Sequence, residues 1–154
     1  MTKKSFLAVA ILLSLCPKAW AANDRCDQLT AESEQLWMSG KYDASDQALA
    51  QAQSLCPDRA ELYWRQARND FSRIEAIPRD QKPGRVSLML RYRNIEKLAD
   101  RCIDLDPNDG NCWLWKASSV GRRATTQGML KSLSEAREVE KYLLKAERLS
   151  PRYR

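Results

Sequence analysis

The chain has 154 residues, 26 of them Lys or Arg and 20 Asp or Glu, for a formal charge of +6, and it contains no histidine. Without histidine the Ser–His and Cys–His catalytic pairs are excluded. Only five glycines occur in the whole chain, and they form no Gly-rich loop that could cradle a phosphate.

The first 21 residues read as a secretory signal, with Lys3 and Lys4 at the start, an apolar run from Phe6 to Leu15, and Ala19 and Ala21 flanking Trp20. Cleavage is expected after Ala21. The apolar run is half of the roughly 20 residues that a bilayer requires, which sets a membrane anchor aside. Cys16 follows Leu-Ser-Leu and offers lipid attachment as a minor alternative, opposed by Leu15 where a small residue is usual. The compact signal looks bacterial, so the mature domain, residues 22–154, is expected in the periplasm or secreted, with no transmembrane segment. Loss of Lys3, Lys4 and Lys18 takes the formal charge from +6 to 6 − 3 = +3. The basic excess is thus half signal, and no nucleic-acid partner is expected.

Within the mature chain three apolar runs end alike: AQSLCP (Ala52 to Pro57), CIDLDP (Cys102 to Pro107) and AERLSP (Ala146 to Pro151). Extended backwards, Leu49 aligns with Ala99 and Leu143, and Ser45 with Ile95 and Val139, at helical spacing; the runs are equivalent helices that stop at a proline. After the first two prolines AELYWRQA (from Ala60) matches GNCWLWKA (from Gly110), with Tyr63 opposite Trp113 and Ala67 opposite Ala117. Asp58 with Glu61 predicts a capping box for the first of these helices, and Asp109 a cap for the second. The unit is a pair of helices, and the absence of hairpin signals argues against a sheet.

The stretch GKYDASDQALAQAQSLCPD, with Gly40, Tyr42, Ala52 and Pro57, resembles a tetratricopeptide repeat. YWRQARNDF, CWLWKASSVG and EVEKYLLKAERLSP resemble the divergent repeats of the regulator of microtubule dynamics family, including its bacterial relatives. The resemblance implies an all-α fold of antiparallel helix pairs, A and B, stacked as a short solenoid of about three units with a concave binding face. The prolines recur 50 and then 44 residues apart, against about 34 in the simple repeat. The extra residues are expected between A and B, in EAIPRDQKPGRVS and GRRATTQGMLK.

Carried over position by position, the concave groove is Glu34 and Trp37 in the first unit, Trp64, Arg65 and Arg68 in the second, and Leu114, Trp115 and Arg122 in the third. Tryptophan beside arginine suits a peptide or a carboxylate-bearing ligand. Partial burial in the core is the competing assignment for each tryptophan. Ten basic against five acidic side chains between Arg65 and Arg101 mark either an anionic partner or a solvated face.

Four cysteines follow the signal, and an even number in an oxidising compartment favours disulfides over free thiols. The helical-hairpin reading pairs Cys26 with Cys56, across the turn beside Gly40, and Cys102 with Cys112, across Pro107. No metal site and no cofactor are expected; Asp104, Asp106 and Asp109 read as residues near a helix start rather than a calcium loop. The last helix presents Leu133, Ala136, Val139, Leu143 and Ala146 on one side, with Tyr142 nearby. That stripe is wider than one neighbour buries and points to self-association or docking, with Tyr142 and Leu143 as assembly residues. The expected function is a non-catalytic adaptor or scaffold that binds a protein or peptide. Its alternatives are a structural subunit of an envelope complex, acting through self-assembly, and a weak binder of anionic envelope surfaces.

Overall fold

A computed structural model describes the backbone of residues 16–150 and the side chains of residues 21–150. The expected signal lies largely outside the described residues, and so does the side chain of Cys16. Six α-helices and no strand occur among the described residues: α1 (Cys16–Met38), α2 (Tyr42–Leu55), α3 (Ala60–Ala76), α4 (Arg85–Leu105), α5 (Gly110–Gln127) and α6 (Met129–Leu149).

Each helix packs antiparallel on the next. Ser45 donates to the Ser33 carbonyl while Cys26 lies against the Ala52 carbonyl, so residues ascend α1 as they descend α2. Phe71 against Tyr92, with Cys102 beside the Ala60 carbonyl, does the same for α3 and α4. Trp113 against Tyr142, with Arg123 beside Glu135, does it for α5 and α6. The odd-numbered helices run parallel to one another: Glu34 and Trp37 of α1 meet Arg68 and Ser72 of α3, and Phe71 and Glu75 of α3 meet Trp115 and Arg122 of α5. This is a short tetratricopeptide-like solenoid of three pairs, with α1, α3 and α5 as A helices.

Local chemistry fixes the turns. Between α1 and α2 the Lys41 N–H bonds the Leu36 carbonyl and the Gly40 N–H the Trp37 carbonyl, a Schellman closure that needs the left-handed φ of 72° at Gly40. After the two prolines the turns are equivalent. Tyr63 donates its hydroxyl to the Pro57 carbonyl at 2.8 Å, and Trp113 donates its indole N–H to the Pro107 carbonyl at 2.9 Å. The aligned aromatics thus lock the same bend with different donors. Asp109 caps α5 by accepting from the Asn111 N–H at 2.8 Å. The matching N-cap of α3 is Arg59, one residue past Asp58, so the expected Asp58–Glu61 capping box does not form.

The extra residues between A and B take two forms. In the second unit they make a connection, Ile77 to Gly84, holding a short 3-10 turn at Arg79–Gln81. In the third they lengthen the helices, because α5 continues to Gln127 and Gly128, at φ 124°, is the sole residue between α5 and α6.

The interior is built mainly from small and medium side chains. Cys26, Leu29, Leu49, Ala52 and Leu62 fill the seam of the first three helices, and Ala67, Ile74, Tyr92 and Ile95 that of α3 and α4. Asn69, fully buried, donates to Ser45 and Asp46 and ties α3 to α2. Cys102 and Cys112 are bonded, with Cα atoms 5.4 Å apart, as expected. Cys26 and Cys56 are also brought together, but as thiols, so the second expected bond is absent from this structure. Burial, then the neighbouring Cys56 thiol, pushes the Cys26 thiol up to about 11. Asp109 lies beside the bonded pair; with both sulfurs in the disulfide, no thiolate is left there to hold a metal.

Candidate partner-binding groove

The A helices place their inward side chains about one turn apart, and the parallel stacking sets those rows side by side. Glu34 of α1, Trp64, Arg65 and Arg68 of α3, and Leu114 and Trp115 of α5 line one cleft of about 650 Å3. Trp37 stands behind this group, its ring stacked 3.6 Å from the Arg68 guanidinium and its indole N–H donated to Ser72. Trp115 faces inward as well, edge-on to Phe71 at 5.5 Å and packed on the α3–α4 core. The tryptophans therefore serve both groove and core.

Arg122 is not in the cleft. It pairs with Glu75 at 2.8 Å and borders a neighbouring apolar cavity between α5 and α6. The groove assignment is carried over from the tetratricopeptide resemblance, and Arg122 lies two turns beyond Trp115, past the end of the cleft.

The two cleft arginines are not open to an anion. Arg65 and Arg68 both bond the Glu34 carboxylate, Arg68 through two nitrogens. Arg68 is only 9% exposed and lies among Glu34, Trp37 and Trp64. Burial pushes the Glu34 carboxyl up, but Arg68 and Arg65 together outweigh it and hold the group below its ordinary range. Three N–H donors beneath the cleft, Trp64 Nε1, Arg65 Nε and Arg68 Nε, are buried without an acceptor among the described residues. The rim is acidic: Glu61, Asp106 and Asp109 border the cleft. Asp109 is occupied in capping α5 and Asp106 accepts from the Asn108 N–H through one oxygen at 2.9 Å, which leaves Glu61 and the second oxygen of the exposed Asp106 at the opening.

These acids were missed in the sequence because Glu61 stands in the first turn of α3, where an acidic residue reads as a cap, and Asp106 closes the end of α4 beside the Pro107 turn. The signal that could have found them is the repeat alignment, which sets Glu61 one position after Ala60 in the same row as Trp64 and Arg65. In the basic second unit half of the ten cations are engaged: Arg65, Arg68, Arg73, Lys82 and Arg101 each pair with an acid.

The expected assembly residues separate. Tyr142 is half-buried, stacks on Trp113 at 5.9 Å and bonds Glu138, so it belongs to the α5–α6 contact rather than to an open strip. Leu143, one residue on, is 44% exposed.

No family model matches the chain, and no curated protein matches it. Among solved structures it is similar to the TPR2B domain in the TPR2B-domain:pHsp70 complex of yeast Sti1, at 14% identity and a TM-score of 0.48, over 82% of this chain and 98% of that one.

Proposed function

We propose that this chain is an exported, non-catalytic interaction protein that holds a peptide segment of a partner across the A-helix cleft. The observation that carries the reading is the convergence of side chains from α1, α3 and α5 on one cleft, with indoles inside it and an acidic rim. Apolar side chains suit Trp64, Leu114 and Trp115. The rim acids Glu61 and Asp106 favour a segment that also brings a basic side chain or an amino terminus. A carboxylate-rich ligand fits less well, because Glu34 already takes both arginines.

Export to the periplasm rests on the basic start, the apolar run and the Ala19-Trp20-Ala21 site. Removing residues 1–21 shortens α1 but leaves Cys26, Leu29 and Glu34 on it. The likeness of YWRQARNDF and CWLWKASSVG to the regulator of microtubule dynamics family belongs to this reading, without the eukaryotic filament, which an exported bacterial chain does not meet. Binding to an anionic envelope surface has weaker support, since half of the basic side chains of the second unit are paired.

Selection of a displayed random-peptide library on the purified protein tests the proposal. Enriched peptides should combine Lys or Arg with an aromatic or aliphatic residue, and Glu61→Lys together with Asp106→Lys should abolish their retention. Enrichment of Asp- and Glu-rich peptides would contradict the acidic-rim reading.

A further inference from the structure

The last B helix carries a face that the fold leaves bare. In the first two units an acid on the B helix pairs with an arginine on the A helix that covers it: Asp46 of α2 with Arg73 of α3, and Glu96 of α4 with Arg123 of α5. The repeat alignment puts Glu140 of α6 at that same position, and Glu140 pairs with nothing among the described residues. Around it Leu130 is 85%, Leu133 68% and Leu144 48% exposed.

These residues form a seam. Leu130, Leu133, Arg137, Glu140, Leu144 and Glu147 succeed one another at spacings of three and four, the interval at which one helix packs along another. The middle of the seam is one cation and one anion, both exposed, and Arg137 too has no partner among the described residues. If two such helices met in parallel register, Arg137 would face the partner subunit's Arg137. Met antiparallel, Arg137 faces the partner subunit's Glu140, twice over, and Leu133 faces the partner subunit's Leu144.

At the other end of the stack the described side chains of α1 offer no such surface. The positions of α1 that correspond to the α2-facing Gln66, Asn69 and Arg73 of α3 are Glu32, Gln35 and Ser39, all polar and exposed. A head-to-tail contact would thus set the bare leucines of α6 against the polar side chains of Glu32, Gln35 and Ser39. A two-fold contact closes on itself and matches Leu133 to Leu144 on both sides of the centre, with Leu130 against Glu147 at its edges.

We infer that a second copy of this chain covers α6, in an antiparallel two-fold contact centred on paired Arg137–Glu140 bridges and flanked by Leu133 and Leu144. The polar pair at the centre fixes the register, as a buried polar residue does in other helix seams.

Sedimentation equilibrium of the purified exported protein, without peptide, tests this. The natural protein should be a dimer. Arg137→Glu and Glu140→Arg should each weaken dimerisation at least about tenfold by setting like charges together, and the double variant should restore it. Leu133→Asp, at a side chain open to solvent in the single chain, should also dissociate the dimer. Circular dichroism checks that each variant keeps its helices. A monomer at every concentration, single variants that dimerise like the natural protein, or a folded double variant that stays monomeric would each overturn the inference.

Discussion

Glu34 decides what the groove can bind, because its carboxylate gathers Arg65 and Arg68 from the neighbouring A helix. Neither arginine's engagement was legible in the sequence: Trp64-Arg65 and Arg68 read as an open anion site, and the acid that closes it lies a full helix pair earlier. Helix register tells which side chains share a face, but not which of them find each other across it. Two consequences follow for stability. The Glu34 carboxyl titrates below its ordinary value of 4.5, so its contribution is fully present above that pH and is lost as the pH falls through the lowered value. Urea midpoints between pH 7 and 3 should therefore drop on the acid side, and Glu34→Gln should be less stable at pH 7 with a shallower acid fall. Arg68→Glu would place like charges together in a nearly buried site, and should lower stability by about 2 kcal/mol or more. An unchanged midpoint would mean that the guanidinium is solvated and free for a ligand.

At the scale of the helix, repetition made most of the fold readable. The three prolines, the aligned small residues and the Tyr63–Trp113 match located both kinds of helix, and the structure shows why the match holds: each aromatic donates to the proline carbonyl of its own bend. What repetition did not tell was the fate of the extra residues. GRRATTQGMLK looks like a connection, with its Gly and its polar run, yet Gly128 alone turns the chain and the rest is helix. Tertiary packing decides this: Arg123, set between Glu96 and Glu135, needs α5 to extend past it. The disulfide Cys102–Cys112 closes a short loop, so replacing both cysteines with serine should cost somewhat under ~3 kcal/mol, measured by urea unfolding. The same protein recovered from an oxidising compartment should titrate no thiol, with Cys26 and Cys56 joined across the α1–α2 hairpin. Two titratable thiols would leave that pair reduced, as in the present structure.

At the scale of the whole molecule, the described residues stack with a mainly polar outer face on α1 and an apolar one on α6, and a cleft runs across the three A helices. The polar face is that of α1, whose outward side chains are Glu32, Gln35 and Ser39; the apolar face is that of α6. The sequence pointed to a bare stripe on α6 but not to its edges, since Tyr142 and Leu143 are adjacent in the chain and only packing against Trp113 shows that Tyr142 is already spoken for. The central claim remains the cleft. It is tested most directly by nuclear magnetic resonance of the indole N–H groups while a peptide selected on the protein is added. The account predicts that the Trp64 and Trp115 signals move, while that of Trp113, whose N–H is held by the Pro107 carbonyl outside the cleft, stays in place. A shift of Trp113 with Trp64 and Trp115 unmoved would put the binding surface elsewhere and contradict the account.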